Sequence, residues 1–319
     1  MPSGRNLALA VVALLSLWQP ARALDKVTAG TAVWPIWAFL PLQVGLDEGI
    51  WQRYGIDLAI DNNGSGAKLI QAMTAGSVDF GLSSGVEMAF AAKGAPIRAV
   101  AAFAGEPRTV TIIVASDSPV KSPADLKGKK IAMPGIGSVS EWLVWQMAIA
   151  EGWGKDGVTV VSSGSLGGSV ALIQSHQAAA AIGPPEVGYL LESENEGRVA
   201  FGLAQFAPHF HAHVVYARND LIRNNPDLVA RFLKGFFAGI AFMKTHKDET
   251  TRIAVRELNS TPAIMNRVYD ELISWLEDDG HFDSQAVDVL KSSYLDMNIL
   301  DRKPSDDEIL TRQFLPVKP

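Results

Sequence analysis

Hydrophobic positions along this chain fall into short extended runs separated by segments of helical spacing. Val27 to Val33 predicts a strand and Phe39 to Gly49 a helix; Leu58 to Asp61 a strand and Lys68 to Ala75 a helix. Val78 to Leu82, Glu87 to Ala92 and Ile97 to Phe103 continue the series as strand, helix and strand. This βαβα alternation predicts an open α/β sheet whose parallel strands are joined by right-handed crossovers. It returns between Lys129 and Leu203, with helices at 138–151, 168–176 and 186–193. From Asp227 onward the pattern is helical almost throughout, at 227–246, 248–258, 262–277, 284–297 and 306–313.

Two β-branched segments, TVTIIVAS (109–116) and HVVYAR (213–218), flank the second block. If they run side by side as crossing strands, the second block becomes a lobe inserted into the first. The expected organisation is a discontinuous lobe of residues 24–114 and 217–319 with an inserted lobe of residues 115–216. GFFAGIAFM (235–243) is apolar, but Lys234 and Lys244 bracket it, and a bilayer needs roughly 20 apolar residues. A buried helix is expected there.

Candidate chemistry sits where strands end. NNGSGAK (62–68), LSSGVE (82–87), MPGIGSVS (133–140), SSGSLGGS (162–169) and IGPPEVG (182–188) each follow a strand and open a helix. Such loops are rich in Gly, Ser, Asn and Pro in any α/β protein. Five of them in two blocks, however, predict a crevice lined with backbone donors at the carboxyl ends of the strands. The stretch GKKIAMPGIGSVSEW (128–142) sharpens the choice of chemistry. It lacks the Gly-Lys-Ser/Thr of a phosphate loop, the third glycine of a dinucleotide fingerprint and the Gly-x-Ser-x-Gly of a nucleophile elbow. What remains is a turn whose N–H groups around Gly137 and Ser138 can grip an anionic or polar end, helped by the helix dipole.

Trp34 and Trp37, in VWPIWAF after the first strand, are candidates for a lid or stacking plate over a small ligand. Trp142, early in its helix, is expected in the core. His209, His211 and His213 alternate and so share one face if their segment is a strand. One strand rarely aims three residues at one ion, and no HExxH accompanies them, so ordinary histidines at a lobe junction are expected, with His209 or His211 in reach of ligand. Glu106 and Arg108 either reach the cleft mouth or pair with each other. No nucleophile-and-base set is evident, and nothing calls for a cofactor or a metal.

Composition narrows the setting. The chain opens with Arg5, an apolar run from Leu7 to Trp18 and Ala21-Arg22-Ala23, the pattern of an export signal cleaved after Ala23. The formal charge of the 319 residues is −6, and removal of Arg5 and Arg22 leaves −8. An acidic chain without a basic run argues against nucleic acid and anionic membranes as partners. The absence of cysteine excludes a disulfide framework and a lipid-anchored cysteine, so a soluble periplasmic protein is expected.

NGSGAKLIQAMTAGSVDFGLSSG, SPADLKGKKIAMPGIGS and NDLIRNNPDLVARFLKGFFAGIAF, in this order, resemble the solute-binding proteins of sulfonate, nitrate, taurine and thiamine-precursor ABC importers. The likeness spans roughly residues 27 to 250. It implies the type II periplasmic binding protein fold: α/β, two lobes, each a sheet flanked by helices, with a helical C-terminal extension. It further implies a monomer that closes on a small solute and docks on a membrane permease with its ATPase. The family places solute between the strand-end loops, which makes Trp34, Trp37, Ser65, Gly66, Ser83, Ser84, Arg108, Gly137, Ser138, Gly168, Glu186 and His209 the candidate contacts. Sulfonate, taurine or a related anion is the first expectation for the solute, and a pyrimidine thiamine precursor or an aromatic acid the alternative. Lys68 is the one strongly basic residue within the loops, which weakens a purely electrostatic site for nitrate. Thiamine-pyrimidine synthases share the fold but are cytosolic and carry a cysteine-rich motif, so an enzyme is a distant alternative.

Overall fold

The computed structural model describes residues 23–319, so the expected export signal falls outside the described residues, Ala23 excepted. Strands β1 (Asp25–Thr31), β2 (Ile56–Asn62), β3 (Phe80–Ser83) and β4 (Ile97–Ala104) open the chain. A second series follows: β5 (Thr111–Ala115), β6 (Lys130–Met133), β7 (Thr159–Ser162), β8 (Ala180–Gly183) and β9 (Gly197–Gly202). β10 (His213–Arg218) comes last and returns to the first series. The first sheet has the order β2-β1-β3-β10-β4 and the second β7-β6-β8-β5-β9. In each, one strand runs against the rest: β10 is antiparallel to β3 and β4, and β5 to β8 and β9.

This pairing decides how the sheets face. The chain leaves the first sheet at Ala104 and enters the second at Thr111; it leaves the second at Gly202 and re-enters the first at His213. Thr31 pairs with Asn62 and Leu82, and Val214 with Ser83, so these strand ends share one edge of the first sheet. Thr111 pairs with both Gly183 and Gly202, which defines the matching edge of the second. Two short connections, 105–110 and 203–212, therefore join the sheets at their functional edges. The expectation that 109–116 and 213–218 lie side by side is corrected: they occupy different sheets, each as the antiparallel strand of its own. The β-branched pattern was right for extended structure, but pairing is a long-range choice that local sequence does not encode.

The long helix Pro226–Thr245 supplies much of the first sheet's core, burying Leu228, Val229, Phe232, Leu233, Phe236, Phe237, Ile240 and Met243. This is the expected buried helix, and its recurrence at three and four residues is that of one broad apolar face. Phe232 stacks on Phe80 at 3.9 Å between ring centroids and on Trp51 at 5.2 Å. Gly235 and Gly239 permit this approach: a Cβ would lie 2.7 Å from the Trp51 ring at the first and 2.8 Å from the Pro41 carbonyl at the second. Among the described residues no helix is long and apolar enough to cross a membrane.

The helical tail follows the expected order with shorter ends. Residues 262–277 divide into Pro262–Leu272 and a 3-10 turn at Ile273–Trp275, and 306–313 shrinks to Asp306–Ile309. The tail guards the first sheet's edge, where Leu310 bridges to Ala99 and Leu276 to Ala104 on β4. It also touches helices of the second sheet. Arg267 pairs with Glu192 at 3.0 Å and lies 3.6 Å over the Tyr189 ring, and the Tyr189 hydroxyl donates to Glu271. On the other flank Trp142 Nε1 donates to Asp296 at 3.1 Å, and the Trp142 ring stacks on Phe210. Trp142 is buried, as expected.

Candidate functional site

The strand-end loops are built first as helix starts. Ser65 Oγ accepts from the Lys68 N–H at 3.3 Å, Ser84 Oγ from Val86 at 3.1 Å and Ser165 Oγ from Gly168 at 3.0 Å. Each satisfies a donor that the helix leaves free. In GIGSVS the Ser138 hydroxyl donates to the Gly135 carbonyl at 3.0 Å, and the Gly137 N–H donates to Glu141 Oε2 at 2.6 Å. Gly137 holds φ +74°, a backbone that side-chain-bearing residues rarely adopt. The turn expected to grip a ligand's anionic end thus already carries a carboxylate of its own helix.

Beyond the caps lies a set of polar atoms that are buried and lack protein partners: Trp37 Nε1, Asn63 Oδ1, Glu87 Oε2, Glu186 Oε2, Ser260 Oγ and both ring nitrogens of His211 and of His213. Buried polar atoms are nearly always hydrogen-bonded, so each of these is a point where a ligand or solvent can supply the missing partner. All but Ser260, in the helical tail, and His211, in the connection 203–212, belong to residues at, or just beyond, the strand ends of the two functional edges. Trp37 follows β1, Asn63 follows β2, Glu87 follows β3 and Glu186 follows β8, while His213 opens β10. Glu186 also crosses between the sheets, accepting the Trp37 backbone N–H at 3.3 Å on Oε1. Glu87 packs against the first residue of the helix Gly66–Ala75, where a Cβ on Gly66 would collide with Glu87 Oε1.

Burial dominates the electrostatics. It pushes the carboxyls of Glu87 and Glu186 above the usual range, and hydrogen bonds from Ser84 to the first and from backbone N–H groups to the second offset it in part. Burial also lowers His213 to about 3 and His211 to about 4, so both imidazoles are neutral at physiological pH. His213 sits among aromatic rings, 5.1 Å from Phe39, 5.7 Å from Phe103 and 5.6 Å from Trp275. The site therefore offers carboxyl, amide and imidazole groups inside an aromatic wall.

Among the expected contacts, Trp34, Ser65, Gly66, Ser83 and Ser84 lie on or next to the first edge, and Gly137, Ser138, Gly168 and Glu186 on the second. Trp34 is half-buried, whereas the Trp37 side chain is fully buried and meets Tyr269 edge-on at 6.1 Å. Trp37 is thus a wall residue and not an open plate. Arg108 and His209 lie away from Trp37, Asn63, Glu87 and Glu186, beside the unpartnered His211. Arg108 Nε donates to Glu106 at 2.6 Å, and both Arg108 and His209 line a separate cavity of about 260 Å³ along the two connections. Of the three histidines only His213 is on a strand; His209 and His211 belong to the connection before it. Asn63, Glu87, Glu141 and His213 were not anticipated. A signal for Glu87 was present: a glutamate follows the third strand of each block, in LSSGVE and in IGPPEVG. Among the described residues no group of three His, Asp or Glu side chains could hold a metal ion.

Two five-stranded sheets with one reversed strand each, joined at facing strand ends, make up the type II periplasmic binding protein fold. The chain belongs to the NMT1/THI5-like family, whose model matches residues 37–250. The riboflavin-binding protein RibY of Chloroflexus aurantiacus is 25% identical over 241 residues, 73% of this chain and 66% of its own length. The alkanesulfonate-binding protein SsuA of Xanthomonas axonopodis pv. citri, solved bound to MOPS, superposes with a TM-score of 0.75. It is 16% identical, and the match covers 90% of this chain and 98% of SsuA. The desulfurization enzyme DSZB, solved with biphenyl-2-sulfinic acid, also shares the fold, with a TM-score of 0.66, 17% identity and coverage of 91% and 97%. The fold thus hosts both binding proteins and an enzyme.

Proposed function

We propose that this protein is the extracytoplasmic solute-binding subunit of an ABC importer. Its two lobes meet along residues 105–110 and 203–212, close on a small organic solute, and present it to a membrane permease and its ATPase. The observation that carries this reading is the direct link between strand-end loops of the two sheets, where Glu186 accepts the Trp37 N–H while Glu186 Oε2 and Trp37 Nε1 remain buried without partners. A ligand that bridges two lobes favours the closed state by its differential affinity for it. Placement in the periplasm rests on the export-signal pattern and on the named locations of the structural neighbours.

The solute that best fits the acceptors on Glu87, Glu186 and Asn63 carries N–H donors, as an amino-substituted nitrogen heterocycle does. Riboflavin, the ligand in RibY's name, is a nitrogen heterocycle with a ring N–H, though without an amino substituent. A sulfonate is the second reading, favoured by the likeness to SsuA. No bond need break in either case. A thermal-shift screen of aminopyrimidines, flavins, aromatic carboxylates, taurine and alkanesulfonates tests the reading. A true solute at a hundredfold excess over Kd should add about 2.7 kcal/mol of stability. It should also reduce the radius of gyration in small-angle scattering. A ligand bound with an unchanged radius would reject the clamp, and turnover of any compound in the screen would move the protein to the enzyme class.

A further inference from the structure

Three of the five strand-end loops carry a glutamate at or just after their turn, and NNGSGAK and SSGSLGGS carry none. Glu87 lies against Gly66 at the start of the helix Gly66–Ala75, and Glu186 is in the first turn of the helix Pro185–Ser193. Glu141 is in the first turn of the helix Val139–Ala150, folded back onto the Gly137 N–H. A helix start attracts anions, because its N–H groups are free and its dipole contributes roughly half a positive charge. In this chain those positions are supplied with carboxyls from within. Glu141 shows it most directly: its side chain is buried, its Oε2 sits 2.6 Å from the Gly137 nitrogen, and the adjoining Ser138 hydroxyl is turned away onto Gly135.

We infer that Glu141 is a specificity-determining residue: its carboxylate is a resident occupant of the Pro134–Ser138 turn and bars anionic head groups from it. The inference rests on the reading of the inter-sheet cleft as a solute site, which the unpartnered Trp37 Nε1 and Glu186 Oε2 support independently of any helix start. Two consequences follow from charge and geometry. An incoming sulfonate would need the N–H that Glu141 holds, and would meet a like charge within a few ångströms. A neutral or cationic solute meets neither obstacle and gains from the carboxyls that line the approach. An ordinary capping role for Glu141 accounts for the hydrogen bond but predicts no effect on what the cleft binds.

The two roles separate in one experiment, calorimetric titration of sodium methanesulfonate and sodium sulfate into wild type, Glu141→Ala and Glu141→Gln. Glu141→Ala frees the N–H and removes the charge, so affinity for methanesulfonate should rise at least about tenfold, equivalent to ~1.4 kcal/mol. Glu141→Gln keeps an acceptor on the N–H and removes only the charge, so it should gain less than the alanine variant. Glu151→Gln, an exposed change at the far end of the same helix, should leave methanesulfonate affinity as in wild type. If the alanine variant does not fold, the glutamine variant carries the test, with its own gain over wild type as the readout. Folded variants that bind both anions no better than wild type would overturn the inference, as would wild type that itself binds methanesulfonate at micromolar concentration. Solute binding by wild type in the broader screen is read separately, so loss of this inference leaves the clamp standing, and loss of the clamp is seen without these variants.

Discussion

The two functional edges are built alike and finished differently. On the first sheet, Trp37, Asn63, Glu87 and His213 present atoms that are buried and lack partners. On the second, the loops satisfy themselves: Glu141 holds Gly137, Ser165 holds Gly168, and Glu186 alone is left with a free oxygen. Glycines do not separate the two: Gly64 on the first side and Gly135, Gly164 and Gly167 on the second have open space around them, while Gly30, Gly66, Gly81 and Gly85 on the first and Gly168, Gly183 and Gly188 on the second are hemmed in. On the proposed reading, one face is a half-site backed by an aromatic core, and the other a lid of capped helix starts that engages through Glu186. Preorganisation of one half limits the ordering cost that binding would otherwise carry.

The largest expected effect tests whether the halves differ in rigidity. Trp37→Ala removes a fully buried ring and should cost about 3–5 kcal/mol in denaturant unfolding. Ile136→Ala, at an exposed tip of the second edge, should stay within about 0.5 kcal/mol. Equal costs would erase the distinction. Next comes Glu186→Gln, which should weaken solute binding by a factor of about ten to a hundred, as for the loss of a charge-assisted hydrogen bond of ~1.5–3 kcal/mol. Its melting temperature without solute should hardly fall, because a carboxyl held above its usual range by burial gives way to a neutral isostere.

A third effect is a pH dependence of the first half-site. His211 and His213 are lowered to about 4 and about 3, so between those values and 6.5 the unfolded chain binds protons that the folded chain does not. Stability should fall with pH in that window, by about 1.4 kcal/mol per unit for each histidine that titrates in this way. Glu87 and Glu186 act with the opposite sign, since their raised carboxyls favour the folded state below the ordinary carboxylate range and lose that contribution as pH rises. His213→Phe, which suits the surrounding rings, should flatten the acid limb in melts between pH 6.5 and 5; an unchanged slope would remove His213 from the account. The smallest effect concerns the outer contact between tail and lid. Arg267→Ala should cost no more than about 1 kcal/mol, because its partners are largely exposed. A loss well beyond that in urea melts would mean that the lid is held from outside rather than by Glu186.

Much of the fold was legible in the sequence. Period-two and helical spacings located the strands, the buried helix at 226–245 and the order of the tail, because each element buries one face and repeats it along its own length. The strand-end loops were legible for a similar reason, since φ-permissive glycines and capping serines are local requirements. Which loop atoms remain without partners was not legible. Ser65, Ser84 and Ser165 carry a signature that caps and ligand contacts share, and in this structure they cap, while Glu87 is marked only by the recurrence of a glutamate after the third strand of each block and His213 by nothing local.

Sequence alone therefore determined the elements, the family likeness and the site's general address at the strand ends. Tertiary structure decided that 109–116 and 213–218 part into different sheets, that Trp37 is wall and Arg108 is not, and that Glu141 closes the turn expected to receive an anion. The division has a physical cause. Helix and strand propensity, turns and caps are settled within a few residues. Strand pairing, burial of a carboxyl and the loss of its solvent depend on residues far away in the chain, as with Trp37 and Glu186, brought within 3.3 Å by the packing of two sheets.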